Sequence, residues 1–487
     1  MKSHLAIRKT SKNLFIGYGL SIMLGLFAAI YFESPLPALL PAVLLIAFQL
    51  LVDYEKIYLL LFLCIPISTE VFLSDHLATD LPTEPLIVGF MVLYFLIALL
   101  QPKTIDKNFL RHPITIAIGV HLGWTVLTTL TSSAFGFSFK FLLAKTWYLV
   151  TFYFFAGYII KSPKRIKLIL WLITISLTIA TAKVVGHHAI LEFGFKKINT
   201  ATPPFFRNHV NYAAILTLFV PFIWYLNRWT NSKRAKTFIL FSFVLLLFAI
   251  VTAYTRAAYV ALAVALAAYW VIRLRLSRLA VTLSLIIAIG GVNFLVAENA
   301  FMEFAPSERT VAHTELTDIV NSTSKLEDVS TMERYYRWIA AGQMIIEKPV
   351  FGFGPGNFYH FYKHYTLERF STYVSDNPEK SGVHNYYLMV ALEQGVLGLL
   401  IFVVLIVFVV VYGEKVYHNC TTREDRDLVM AAILSSIIID AFLMMNDMIE
   451  TDKVGSFFFF NMAIIAIMDL YTKRKKGALV PSEEETT

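Results

Sequence analysis

Residues 381–413 read SGVHNYYLMVALEQGVLGLLIFVVLIVFVVVYG. A polar segment turns at Val383-His384-Asn385 into an apolar run that outlasts the roughly 20 residues a helix needs to cross a hydrocarbon core. Upstream of it, residues 299–383 form the only long polar interval of an otherwise apolar chain. The 487 residues are 57% hydrophobic and 16% charged, with a mean hydropathy of +0.64. A soluble protein of this composition could not cover its surface with polar groups, so the chain reads as an all-α integral membrane protein. Forty-one Phe and 24 Tyr suit helix interfaces and membrane-surface belts. The net charge of +8 does not point to a nucleic-acid partner, because basic residues in short loops between spans report orientation. Cys64 and Cys420 imply neither a disulfide framework nor a zinc site. The basic, then apolar N-terminus lacks a small-residue cleavage site and reads as a retained first helix.

Apolar runs of spanning length number about fourteen. They begin near Leu14, Leu36, Ile57, Leu86, Ile114, Phe139, Ile166, Tyr212, Thr237, Ala257, Leu279, Tyr386, Leu428 and Gly455. With the N-terminus placed in the cytoplasm, the inside segments carry Lys9 and Lys12, Lys103 and Arg111, Lys164 and Arg165. They continue with Arg234 and Lys236, Arg273 and Arg275, and the final Lys473 to Lys476 cluster. Residues 69–84, on the other side, are acidic. The alternation puts both termini inside and four segments outside together: 186–210, the turn at 253–256, the interval 299–383 and the tip 447–453. The domain expectation is therefore 1–298 as N-terminal spans, 299–385 as a large periplasmic loop, 386–472 as C-terminal spans and 473–487 as a cytoplasmic tail. Within the loop, Leu/Tyr/Trp spacing over 332–346 predicts a helix, stopped at Pro349 and followed by the turn Gly352-Phe353-Gly354-Pro355-Gly356-Asn357.

His384 falls at the first turn of a helix, whose positive N-terminal end disfavours imidazolium and leaves a neutral ring able to accept a proton. The competing reading makes His384 and Asn385 a helix cap. Arg256 stands between two apolar runs at the outer boundary, where an arginine either snorkels or meets an anion, and its fork suits a phosphate. Arg207 follows a Pro-Pro-Phe-Phe turn, and Arg334 and Arg337 lie one helical turn apart. For Arg334 or Arg337 taken singly, an ordinary solvated face is the favoured reading. Gly395 and Gly398 also read as small residues permitting close helix packing. Lys145, Glu393 and Asp440 need partners within the spans that the sequence does not assign. No cluster has metal-ligand spacing, and no phosphate loop or dinucleotide fingerprint is present, so neither metal nor cofactor is expected.

Three motifs carry a resemblance. His384-Asn385-x9-Gly395-x2-Gly398, the turn Thr255-Arg256-Ala257-Ala258, and Glu333-Arg334-x2-Arg337-Trp338 leading to Pro349 and to Gly354 and Gly356 are similar to the O-antigen ligase/polymerase superfamily of bacterial envelope glycosyltransferases. The resemblance implies a GT-C-like fold of about 12–14 transmembrane helices with one large, partly helical periplasmic loop. It also implies metal-independent, inverting transfer of a glycan from undecaprenyl diphosphate, in the bacterial inner membrane, to a glycolipid or glycan acceptor. By the same resemblance His384 would be the base, and Arg256, Arg334, Arg337 and Arg207 would hold the diphosphate. An O-antigen ligase acting on lipid A–core is the leading expectation. A Wzy-type polymerase and a protein O-oligosaccharyltransferase differ from it in the acceptor. A transporter of lipid-linked oligosaccharide is the competing class, but its internal repeats and midplane charges are not evident in the sequence.

Overall fold

The computed structural model describes residues 52–74, 77–296, 329–366, 382–449 and 451–477, with a few positions among the first fifty. Two compact units are present, Met1–Leu61 and Phe62–Thr487. Helix α1, Tyr54–Cys64, runs across the boundary into a 3₁₀ turn at Ile65–Ile67, where Pro66 halts it. The second unit then opens on a hairpin of β1 (Thr69–Ser74) and β2 (Leu77–Leu81), paired antiparallel with a bulge between Phe72 and Ser74.

The helices follow in order: α2 Thr83–Leu100, α3 Pro113–Leu130, α4 Phe135–Leu149, α5 Pro163–Ile190, α6 His209–Trp229, α7 Lys233–Thr252, α8 Arg256–Arg273 and α9 Ser277–Val296. After them come α10 Val329–Glu347, α11 Tyr386–Asn419, α12 Arg423–Leu443 and α13 Asp452–Lys475. Among the described residues, nine helices are long and apolar enough to cross a membrane. They match nine of the expected spans: those near Leu86, Ile114, Phe139, Ile166, Tyr212, Thr237, Ala257, Tyr386 and Gly455. The expected spans near Leu14 and Leu36 lie outside the described residues. Near Ile57 the helix has only 11 residues, roughly 16 Å of rise, because Pro66 and the hairpin cut it short. Near Leu279 the apolar stretch is the shorter Ser277–Gly291. The helix near Leu428 has 21 residues but opens on the charged run Arg423-Glu424-Asp425-Arg426-Asp427.

The sequence of α13 explains its place. Its run SFFFFNMAIIAIM is apolar on every side, and a helix without a polar face is one surrounded by others. It is buried along nearly its whole length. Within it Ser456 bonds back to the Asp452 carbonyl, and Asn461 donates through Nδ2 to Ser435 Oγ on α12 at 2.9 Å. In lipid such bonds and close packing hold helices together, since apolar burial alone gives little preference for a neighbour over a lipid tail. Helix α12 packs in turn on α6, α8, α11 and α13.

Polar residues collect at the two ends of the bundle. At one end, Asp469 of α13 accepts from Lys473 at 2.7 Å and Tyr412 of α11 at 2.8 Å, and lies 3.1 Å from His112 Nε2 at the start of α3. Lys167 of α5 pairs with Glu424 of α12 at 2.8 Å at this same end. The other end carries the β-hairpin, α10 and the starts of α6, α8, α11 and α13.

Candidate functional site

The segment before α11 is held in place by three hydrogen bonds from two sides. On α10, Trp338 Nε1 donates to the Val383 carbonyl at 3.1 Å and Arg337 Nη1 to the Gly382 carbonyl at 3.3 Å. From the other side, the backbone N–H of His384 donates to Asp447 Oδ2 at 2.8 Å. These bonds hold His384 in the left-handed region, at φ +57, a conformation unfavourable for a residue with a Cβ. Asn385 is the N-cap: its side chain accepts from the Leu388 N–H at 3.0 Å. The cap reading thus holds for Asn385, whereas His384 sits one residue earlier and lends the cap no side-chain bond.

His384 is half-buried, and its imidazole is pushed down to about 4, first by burial and then by the positive charges of Arg334 and Arg337. The sequence argument placed the cause in the helix end; burial and two guanidiniums are the causes seen. Arg334 is one turn before Arg337–Trp338 on α10, so the helix that anchors the His384 segment also presents the charge that acts on its ring.

The same Arg334 acts electrostatically on His209, the first residue of α6. Asn199 Oδ1 accepts the His209 backbone N–H at 2.9 Å and lies 2.8 Å from Nδ1. A single acceptor oxygen at both positions puts the ring hydrogen on Nδ1 and leaves Nε2 as a lone-pair acceptor. The His209 carbonyl receives Thr255 Oγ1 at 3.4 Å, and Arg256, exposed, is the next residue and the first of α8. Arg334 thus acts electrostatically on both His209 and His384, and His209 in turn bonds the Thr255-Arg256 turn at the start of α8.

Arg207 has a different setting. Its Nη2 lies 2.7 Å from Glu70 Oε1 on β1 and 3.9 Å from Asp80 on β2. It lines a pocket of about 430 Å³ with Asp452 and Lys453, the first residues of α13.

The motif glycines join the polar interval to α11. At Gly395, φ +74 interrupts α11, a conformation that glycine reaches without strain. The break orphans the carbonyls of residues 392–394, which a continuous helix would pair with the N–H groups of residues 396–398. Phe353 N–H donates to Leu392 O at 2.9 Å, Gly354 N–H to Glu393 O at 2.8 Å, and Trp124 Nε1 to Gln394 O at 2.9 Å. The Val396 N–H donates to Pro349 O at 2.8 Å. Backbone at membrane depth needs such internal partners. A Cβ at Gly395 would overlap the Val350 carbonyl, one at Gly354 the Ser132 side chain, and one at Gly398 would press on Trp124. Gly356 also has positive φ, +77, and closes the turn against Phe141. Asn357 Nδ2 completes the clip, donating to Ser132 Oγ at 2.8 Å and to Phe353 O at 2.8 Å.

Of the residues left unassigned, Glu393 accepts the Phe358 N–H at 3.2 Å and Lys145 Nζ lies 3.5 Å from the Tyr386 hydroxyl. Asp440 acts electrostatically on Tyr387. Sequence reasoning missed His209, Trp338, Trp124 and Asp447. Trp338 and Asp447 left a trace, the first as the end of the Glu333-Arg334-x2-Arg337-Trp338 motif and the second as an acid in a short tip between two apolar helices.

These features define a class: a multi-pass helical membrane protein with arginines and an imidazole gathered at one end of the bundle. The model of the O-antigen ligase family, Wzy_C, matches residues 241–403, fewer than half of the 487 but inclusive of all three motifs. The resemblance to the O-antigen ligase/polymerase superfamily stands on that match. No curated protein matches the chain.

Proposed function

We propose that the protein transfers a glycan from undecaprenyl diphosphate to an acceptor hydroxyl, with His384 as the base and Arg334 and Arg256 on the diphosphate. The observation that carries this reading is the anchoring of the His384 segment by α10, whose Arg337 and Trp338 bond the two carbonyls before it and whose Arg334 and Arg337 charges act on the half-buried imidazole. Two cations beside a neutral ring make a place where a leaving diphosphate, gaining negative charge as the bond breaks, and a proton acceptor stand side by side. His384 takes the acceptor hydroxyl's proton as its oxygen bonds to the anomeric carbon, and the carbon–oxygen bond to the diphosphate breaks. A single displacement of this kind inverts the anomeric centre. Undecaprenyl diphosphate leaves with the bond's electron pair against the arginines, which supply the charge stabilisation and make a metal unnecessary.

Arg337 adds positive charge, and its bond to the Gly382 carbonyl also positions His384. Arg207 is engaged by Glu70 and is assigned to the neighbouring pocket instead of the diphosphate. An O-antigen ligase using lipid A–core as acceptor remains the leading reading; polymerase chemistry at this site would differ only in the acceptor. Basic residues at the opposite helix ends, among them Lys164, Arg165, Lys233, Arg234, Arg273 and Lys473, support a periplasmic site with both termini cytoplasmic in the bacterial inner membrane.

The test is transfer by the purified protein from its lipid-linked donor. His384→Ala is expected to lose about 10²–10⁴-fold in turnover, the usual contribution of a general base, while donor affinity stays near that of the wild type. Full turnover by the variant would remove His384 from catalysis.

A further inference from the structure

The pocket of about 430 Å³ beside Arg207 is large enough for a small-molecule ligand and is not accounted for by the diphosphate. Its floor is a buried, mutually satisfied polar group. Lys453 Nζ donates to Ser68 Oγ at 2.9 Å and to both Asp452 oxygens at 3.2 Å, and Asp452 also accepts from Ser68 and Thr83. Its walls are apolar and ring-shaped: Phe72, 75% exposed on β1, with Pro203, Pro204 and Phe205 facing the same space. Glu70, paired with Arg207, together with Asp80, Asn211, Thr69 and Thr451 completes its polar lining.

The charge of this lining argues against an anion. Glu70, Asp80 and Asp452 bring three carboxylates against the two cations Arg207 and Lys453, and both cations already contact carboxylates. A diphosphate would be repelled. A pyranose ring fits the chemistry, having C–H faces that lie against aromatic and proline rings and a rim of hydroxyls that carboxylates and a carboxamide can bond. The volume admits a short run of such rings, not a polymer. Its position fits as well. Arg207 is two residues before His209, and Asp452 five residues after Asp447, which bonds His384. The latter separation cannot exceed roughly 18 Å of extended chain.

We infer that this pocket is a glycan subsite, holding uncharged or amine-bearing sugar rings of a substrate whose reacting end lies at His384. The inference rests on the proposed transfer reaction for its meaning but not for its measurement. Two probes distinguish the sources: oligosaccharide released by mild acid from the cell's own lipid-linked glycan, and delipidated core oligosaccharide from its envelope glycolipid. Each is titrated into the purified full-length protein by calorimetry.

Binding of either probe is expected, weakened about tenfold by Phe72→Ala and by Asn211→Ala, with affinity for undecaprenyl diphosphate unchanged. Which probe binds identifies donor or acceptor. Failure of both probes to bind the wild-type protein, or wild-type affinity in both variants, overturns the subsite. His384→Ala should bind the same probe normally. If that variant kept full transfer, the base assignment would fall while the titrations still judged the pocket.

Discussion

His384 is held by its backbone and tuned through its ring. Asp447 Oδ2 accepts its amide, Trp338 and Arg337 fix the two carbonyls before it, and the Arg334 and Arg337 charges act on the imidazole. Removing the Asp447 acceptor should release the strained conformation. Asp447→Ala is expected to lower kcat while leaving the affinity for undecaprenyl diphosphate within about twofold, since loss of one hydrogen bond near the acceptor side costs only about 0.5–1.5 kcal/mol and acts on geometry. A matched fall in donor affinity would instead make Asp447 part of donor binding. For the arginines, a lysine keeps charge but loses the planar fork. Arg334→Lys and Arg256→Lys should each weaken donor binding roughly tenfold or more, the worth of one charge-assisted bond at about 1.5–3 kcal/mol; unchanged donor affinity in either variant would place that residue off the diphosphate.

The broken helix α11 and the glycine turn are one device. The turn supplies the N–H donors that the break at Gly395 leaves wanting, so neither half is stable without the other. Gly395→Ala must adopt φ +74 and push a methyl into the Val350 carbonyl. Its cost is expected at about 2–6 kcal/mol, from backbone strain and overpacking together, read as a large fall in Tm or loss of folded protein. Gly342→Ala, on α10 with open space around it, should change Tm little.

The β-hairpin gives a pH signature. Asp80 is raised to about 6, chiefly by burial and then by Asp452, with Lys453 and Arg207 opposing. The fold therefore binds this proton more tightly than the unfolded chain does, and Asp80 makes stability fall as pH rises from 3.8 to about 6. Asp80→Asn should show a smaller loss of Tm across that window; an equal loss would mean another group is responsible. The sequence made α10 and the turn readable, because Pro349 and the glycines punctuate the chain locally. It did not reveal that the turn docks into α11. That contact joins residues far apart in the chain, and an isolated glycine reads equally as close packing or as a break. The hairpin was missed because an apolar stretch before it resembled a span.

For the whole molecule, hydropathy was enough to find the long helices, and loop charge was enough to propose their direction, since both are summed over many residues. The meeting of four segments at one end was only partly legible. Charge phasing grouped 186–210, 253–256, 299–383 and 447–453, but not the pairing of Arg207 with Glu70 or the service of His209 as a link between Arg256 and Arg334. Those depend on side-chain positions that no periodicity encodes.

The central claim is that His384 and the diphosphate share one site, and the pH dependence of transfer tests it most directly. In the free enzyme burial and the two guanidiniums hold the imidazole down to about 4, so the acid limb of kcat/KM should fall well below 6.5. A bound diphosphate would offset those charges and let the ring take a proton more readily, so the acid limb of kcat should lie at higher pH than that of kcat/KM. Coincident acid limbs at 6.5 or above, unmoved by Arg334→Gln, would mean that arginine and imidazole do not act on the same substrate, and would contradict the account.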